Sequence, residues 1–217
     1  MSYIWFVAFS FSIFIAAAIS WVRLKKIAPA FYPFILCITL AAINEVISLV
    51  LSFSGHSTMV NNNIYVLGES LLLSIQLERW NAWGNNRRFS LFIIPFLLVT
   101  WCAENIFFLQ FQGISSYFRF LYSALIVFLS INVSNRLIAT ETGNLLRQPM
   151  FIICIGMIVY FSYKILVEAF WLYGLGRSAG FRQNVYSIMI WINLIVNILY
   201  AIAVLWIPRK QRFTMQY

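Results

Sequence analysis

Apolar residues run along this chain in seven long stretches, at roughly 3–22, 31–53, 62–78, 89–110, 117–138, 149–172 and 184–207. Crossing a hydrocarbon core about 30 Å thick takes about 20 helical residues, so each stretch is long enough to do so. The polar positions inside them recur at helical spacing, not with the alternation of a strand. In the third stretch Asn62, Tyr65, Glu69 and Gln76 stand at offsets of 0, 3, 7 and 14. In the sixth, Tyr160, Lys164, Glu168 and Trp171 stand at 0, 4, 8 and 11; in the seventh, Tyr186, Asn193, Asn197 and Tyr200 stand at 0, 7, 11 and 14. Glu45, Ser48 and Ser52 share one face of the second, and Trp101, Glu104 and Asn105 cluster in the fourth. A helix facing lipid all round would not carry such stripes. The pattern predicts an all-α transmembrane bundle of seven helices, one integral membrane domain over 1–217.

Breaker chemistry separates the stretches. Gly55 follows the second, Trp83-Gly84-Asn85-Asn86 the third, and Gly174 to Gly180 the sixth. Pro29, Pro33 and Pro149 fall at predicted helix starts, where a missing N–H costs little. Pro95 lies inside the fourth stretch and is expected to kink it. The third stretch is the shortest and most polar.

Composition agrees with a membrane protein. The 217 residues are 62% apolar and 10% charged, against about 45–50% and about 25% in soluble domains. That excludes a soluble globular domain, a disordered tail and a nucleic-acid-binding domain, despite a net charge of +9. Eleven of the fifteen basic residues fall on alternate connectors: Arg23, Lys25, Lys26, Arg79, Arg87, Arg88, Arg136, Arg147, Arg209, Lys210 and Arg212. Arg119, Arg177 and Arg182 lie on the other side. Excess positive charge marks the cytoplasmic face, so the N-terminus is expected outside and the C-terminus inside a cell (cytoplasmic) membrane. Trp5 and Trp171 then mark the outer interface, and Trp21, Trp80 and Trp206 the inner one. No positive charge precedes the first stretch and three follow it, which predicts a retained helix and not a cleaved signal. Cys37, Cys102 and Cys154 are isolated and read as small buried hydrophobes.

Charges at bilayer depth are the informative feature, since each costs several kcal/mol unless paired or hydrated. Glu45, Glu69, Glu104 and Glu168, four of the six acids, lie within stretches, as does Lys164. Lys164 precedes Glu168 by one helical turn, and the two are expected to pair. Depth counting puts Glu45, Glu104, Lys164 and Glu168 in the outer halves, Glu69 near the middle and Arg119 at an outer helix start. These residues predict one polar cluster inside the bundle, open outward. Together with Tyr65, Trp101, Tyr160, Asn193 and Asn197 they form the candidate ligand-binding or ion-coupling set. The asparagines, with Asn44 and Asn105, also read as interhelical glue.

Other chemistries find no support. One histidine, His56, cannot ligate a membrane haem or a multi-histidine zinc. No nucleophile elbow, HExxH motif or phosphate loop occurs, so neither an enzyme, a metal nor a cofactor is expected. Seven helices with one intramembrane lysine resemble retinal proteins in architecture alone. There the lysine lies on the last helix with an acid one turn before it. Here it lies on the sixth, with Glu168 one turn after. A weak internal repeat pairs Pro33-Phe34-Ile35-Leu36-Cys37 with Pro149 to Cys154, and Asn63-Ile64-Tyr65 with Asn184-Val185-Tyr186. That 3+1+3 layout is similar to parallel-repeat sugar transporters, without their paired Pro-Gln loop signature.

Two functions follow as expectations. One is a membrane sensor, receptor-like or accessory protein whose outward polar pocket takes a small ligand. Its basic connectors would meet anionic lipid or a separate cytoplasmic or membrane signalling protein. The other is a small-solute or proton-coupled transporter or channel subunit.

Overall fold

The computed structural model describes residues 9–84, 88–140, 143–173 and 179–208, which are helical with no strand among them. The α-helices are α1 (Ile13–Arg23), α2 (Tyr32–Phe53), α3 (Met59–Arg79), α4 (Arg88–Cys102), α5 (Ser116–Thr140), α6 (Pro149–Leu172) and α7 (Ala179–Trp206). The second to seventh predicted stretches each fall on one of them, and the first overlaps α1 over its second half. Five segments are long and apolar enough to cross a membrane: Pro29–Phe53, Leu91–Phe108, Ser116–Thr140, Pro149–Leu172 and Ser187–Trp206. The chain therefore has the make-up of a multi-pass membrane protein. Helix α1 is described over 11 residues, and Trp5 in the first stretch lies outside the described residues.

Helix α3 differs for a physical reason. Its 21 residues span about 30 Å at 1.5 Å per residue, but its polar side chains lower its apolarity. Those side chains point inward: Asn63 and Gln76 are fully buried and Glu69 is 5% exposed. Its polarity serves partners inside the bundle.

Local chemistry explains the ends. Pro33 and Pro149 occupy the first turns of α2 and α6, where proline's fixed φ suits a helix start. Gly55 turns the chain after α2 at φ +71° and Gly84 after α3 at φ +60°, values open to glycine without strain. Pro95 lies within the continuous helical run of α4. The departure from α geometry comes later, where Ala103–Phe108 continue the helix as a π-helical segment.

Packing places six helices in a ring, in the order α1, α2, α3, α5, α6, α7 and back to α1, with α4 outside against α3 and α5. The seam between α5 and α6 is the most extensive. Ser123 and Ser130 of α5 are fully buried, and Ser130 Oγ reaches Met157 Sδ of α6 at 3.5 Å. Close approach elsewhere relies on glycine. A Cβ at Gly156 would lie 2.6 Å from the Tyr200 ring, and one at Gly68 would lie 2.7 Å from Leu40 Cδ2.

The distribution of polarity is inverted relative to a soluble domain. Large apolar side chains face outward, among them Leu91 and Phe92 on α4, Phe107 and Phe108 on the π-helical segment after it, Val50 on α2 and Ile195 on α7. Buried Glu69, Glu104, Lys164 and Glu168 lie inside. An apolar exterior of this extent suits hydrocarbon and not water.

The two ends of the bundle differ. The Gly55 end carries the α2–α3 and α4–α5 connectors, and the opposite, Trp80 end carries the α1–α2, α3–α4 and α5–α6 connectors. At the Trp80 end, Arg23 donates to the carbonyls of Val204 and Ile207 at the end of α7. Arg79 donates to Pro29 O at 3.1 Å, and Arg136 to Asn81 O. Trp80 corrects the expected interfacial belt. It is buried, with its ring 5.5 Å from that of Phe31, because the chain folds back at Asn81 and carries the indole under α2. Trp21, Trp171 and Trp206 are exposed, as a belt requires. Arg87, Arg177, Arg209, Lys210, Arg212 and Gly174 lie outside the described residues, and the side chains of Arg88, Arg182 and Tyr186 outside the described side chains.

Candidate functional site

Helix α3 supplies the centre of the polar interior. Tyr65 and Glu69 stand one turn apart on its inward face, and Tyr65 Oη donates to Glu69 Oε1 at 2.8 Å. From α5, Tyr122 Oη donates to Glu69 Oε2 at 2.5 Å. From α6, Lys164 Nζ donates to the same oxygen at 3.1 Å and also to Tyr122 Oη. A buried carboxylate thus accepts three donors from three helices. The rings of Tyr122, Tyr160 and Phe161 surround the ammonium at 5.0, 5.4 and 5.4 Å, within the range where a ring face attracts a cation. A buried ion pair is tolerated only when its remaining hydrogen-bonding positions are filled in this way.

The expected Lys164–Glu168 pair is therefore corrected. A helical side chain leans toward its own N-terminus, so Lys164 reaches down α6 to the level of Glu69 and away from Glu168. Glu168 faces Arg119 of α5 instead, with Oε1 3.9 Å from Nη1. That contact is loose. Glu168 Oε2 and Arg119 Nε are both buried without a hydrogen-bond partner, and Arg119 Nη2 only approaches Asn63 Oδ1 at 3.4 Å.

Glu104 and Trp101 are likewise corrected, since they line neither of the cavities described below. Glu104 accepts the backbone N–H groups of Tyr117 at 3.0 Å and Phe118 at 2.6 Å. It caps α5 from a neighbouring helix, where the first N–H groups lack intrahelical acceptors. Trp101 Nε1 donates to Asn63 O at 2.8 Å. The π-helical turn begins between these two residues and aims Glu104 at the start of α5. Equal depth alone could not distinguish a helix cap from a pocket wall.

Two adjoining cavities share Tyr65 and Tyr160 as walls. The smaller, about 110 Å³, is lined by Glu45, Glu69, Asn193, Asn197 and Tyr200 among others. The larger, about 550 Å³, is lined by Arg119, Lys164, Glu168 and Trp171 and reaches the Gly55 end beside Met59 and Ile114. Nine of the eleven sequence-selected residues thus line one cavity or the other. The single cluster expected from depth is divided in two, because the three-helix clasp on Glu69 stands between the compartments. Glu45 has no hydrogen-bond or ion-pair partner among the described residues.

The asparagines divide between roles. Asn197 donates to Ser12 Oγ at 2.8 Å and ties α7 to α1. Asn44 accepts from Asn61 at 2.8 Å and ties α2 to α3. Asn105 donates to Trp101 O within its own helix at 3.1 Å, so it does not glue helices through that bond.

Sequence reasoning missed Tyr122 and Asn63. Tyr122 lies one turn after Arg119, a spacing that marks the inward face of α5. Asn63 belongs to the Asn61-Asn62-Asn63 run. It donates to Gly113 O at 2.9 Å and accepts from Ser115 Oγ at 3.1 Å, which fixes the α4–α5 connector.

These features define a class: an all-helical, multi-pass bundle with an apolar exterior, buried ion pairs and interior cavities. Compared with models of known protein families, with curated proteins and with solved structures, the chain matches none.

Proposed function

We propose that the protein is a receptor-like sensor or accessory protein that crosses the cytoplasmic membrane seven times, with its N-terminus outside. A small molecule binds in the interior from the Gly55 end, and the bundle passes that occupancy to a separate signalling protein. No chemistry is performed on the ligand, and no cofactor is needed. The observation that carries this reading is a one-ended interior. Toward the Trp80 end the ring is filled. Gln76 accepts from Phe34 N at 2.8 Å and donates to Ala30 O at 2.7 Å. Leu77 is fully buried, and Phe34 meets the Tyr200 ring at 5.1 Å while Tyr200 abuts Gly156. A cavity in the size range of small-ligand sites, about 300–1,000 Å³, backed by a packed floor suits binding better than passage.

The transporter reading keeps one favourable observation. Helices α1–α3 and α5–α7 form two consecutive halves of the ring, which is compatible with a parallel repeat.

The test uses purified full chain, in nanodiscs for thermal stability against a panel of small polar metabolites, and in proteoliposomes for uptake. The expected result is stabilisation by at least one compound, lost in Tyr160→Trp, which fills the shared wall, with no uptake of it. Uptake abolished by Glu69→Gln would replace the sensor with the transporter. Neither stabilisation nor uptake would overturn both.

A further inference from the structure

In the larger cavity two groups of opposite charge each keep one polar atom without a partner, although Ser116 supports the Glu168 carboxylate and Asn63 lies 3.4 Å from Arg119. Glu168 is 5% exposed, lines the cavity and has an acceptor oxygen, Oε2, without a partner. Arg119 lines the same cavity and has a donor, Nε, without a partner. Buried polar atoms without partners are uncommon, because each forfeits its hydration. Here the two groups are only loosely joined to each other, at 3.9 Å. Both side chains line the cavity, so a guest carrying one donor and one acceptor can take up this loosely held pair.

Charge balance narrows the guest further. Lys164 is matched by Glu69 at 3.1 Å, and Arg119 is matched by Glu168, so these two pairs leave the cavity wall without net charge. A simple cation or a simple anion would leave one charge uncompensated in a low-dielectric interior, which is heavily penalised. A guest bearing both charges adds none. The remaining wall is mixed: Asn44, Asn62 and Ser116 are polar, while Trp171, Val167, Leu172 and Met189 offer apolar surface that accommodates an apolar side chain.

Building on the ligand-pocket reading above, we propose that the larger cavity binds a zwitterion of the α-amino-acid type with an apolar side chain. Its ammonium group sits on Glu168 and its carboxylate on Arg119. The Tyr160 ring, shared with the smaller cavity, forms the floor under the side chain.

Isothermal titration of the full chain in nanodiscs tests this with L-leucine and L-phenylalanine. The comparators are isoamylamine, which carries only the ammonium group, and isovalerate, which carries only the carboxylate. Saturable binding of at least one amino acid is expected, with both comparators at least about tenfold weaker, since each lacks a charge-assisted hydrogen bond. Glu168→Gln and Arg119→Gln should each weaken binding by at least about tenfold. The comparators are read on the unaltered chain, so the proposal stays testable if a variant does not fold. Equal binding of isoamylamine or isovalerate, or no binding of either amino acid, overturns it. If a different compound still stabilises the protein and Tyr160→Trp abolishes that effect, the pocket reading stands and the zwitterion alone falls.

Discussion

Replacing Lys164 by methionine keeps most of the stem that packs against Tyr160 and Phe161 but removes the charge that faces Glu69 at 3.1 Å. Breaking one side of a buried ion pair costs about 3–5 kcal/mol, because the abandoned partner stays desolvated. The hydroxyls of Tyr65 and Tyr122 remain on the carboxylate, which places the expected loss near the lower end, about 3 kcal/mol. Glu69→Gln strands the ammonium and should cost about as much. The double variant leaves neither charge exposed to the interior, so its loss should be close to that of one single change. The coupling energy between the two positions is then about 3 kcal/mol. A companion cycle pairs Lys164→Met with Glu168→Gln. Those residues share only helical spacing, and pairs of that kind are worth about 0.3–0.5 kcal/mol. Both cycles can be read from SDS-driven unfolding in mixed micelles, followed by far-UV circular dichroism. A coupling to Glu168 that equals or exceeds the coupling to Glu69 would refute the reassigned pairing, and so would single variants of near-native stability.

Three further outcomes follow. Glu104→Ala removes the carboxylate that accepts the amides of Tyr117 and Phe118 and should cost about 1–2 kcal/mol, the range for a lost N-cap, in the same unfolding assay. Gly156→Ala gains about 1 kcal/mol of helix propensity but drives a methyl to within 2.6 Å of the Tyr200 ring. Overpacking of about 1–3 kcal/mol should outweigh that gain, and a raised melting midpoint would show that the α6–α7 contact yields freely. On the proposed orientation, Ser57→Cys should react with a membrane-impermeant maleimide on intact cells and Trp83→Cys should not. The native Cys37 and Cys154 are buried and Cys102 is half-buried, so the labelling is done on a Cys102→Ser background.

The helices were legible in the sequence because hydrocarbon imposes a length and an apolarity that few other environments demand. Pro149 starts α6 where the pattern predicted, and Phe53 ends α2 where it predicted. The stripes on α3 and α6 correctly marked inward faces, since a polar side chain at that depth has nowhere else to turn. What could not be read was which partner each charge selects. Lys164 has carboxylates on two helices within plausible reach, and spacing along one helix favoured the wrong one. Its choice depends on how far α3 and α5 approach, a property of the ring and not of α6. Glu104 was misassigned for a related reason. A carboxylate at bilayer depth serves a pocket or a helix end equally well, and the α5 amides it caps are supplied by a neighbour. Tyr122 escaped notice because tyrosine is common in membrane helices, and its hydroxyl matters here only between Glu69 and Lys164.

The charge excess takes on a second meaning once the ends of the bundle are compared. Basic residues crowd the connectors of the Trp80 end, which would be sufficient to orient the chain. Yet Arg23, Arg79 and Arg136 do not simply point to solvent. Each donates to backbone carbonyls: Arg23 at the end of α7, Arg79 before α2 and Arg136 after α3. Carbonyls at a helix C-terminus lack intrahelical donors and carry partial negative charge, so a guanidinium satisfies them and favours their field at once. The same arginines that would hold this end at the cytoplasmic face also tie α1 to the end of α7, α3 to the segment before α2, and α5 to the turn after α3. The opposite end has Arg119, which turns inward to Glu168, and no comparable set of described arginines joining helix ends. The packed floor of Gln76, Leu77, Phe34 and Tyr200 is thus backed, at the same end, by the arginines that join neighbouring segments. On the proposed reading a ligand arrives at the Gly55 end, and a signalling partner reads the result at the Trp80 end, where these arginines join neighbouring segments.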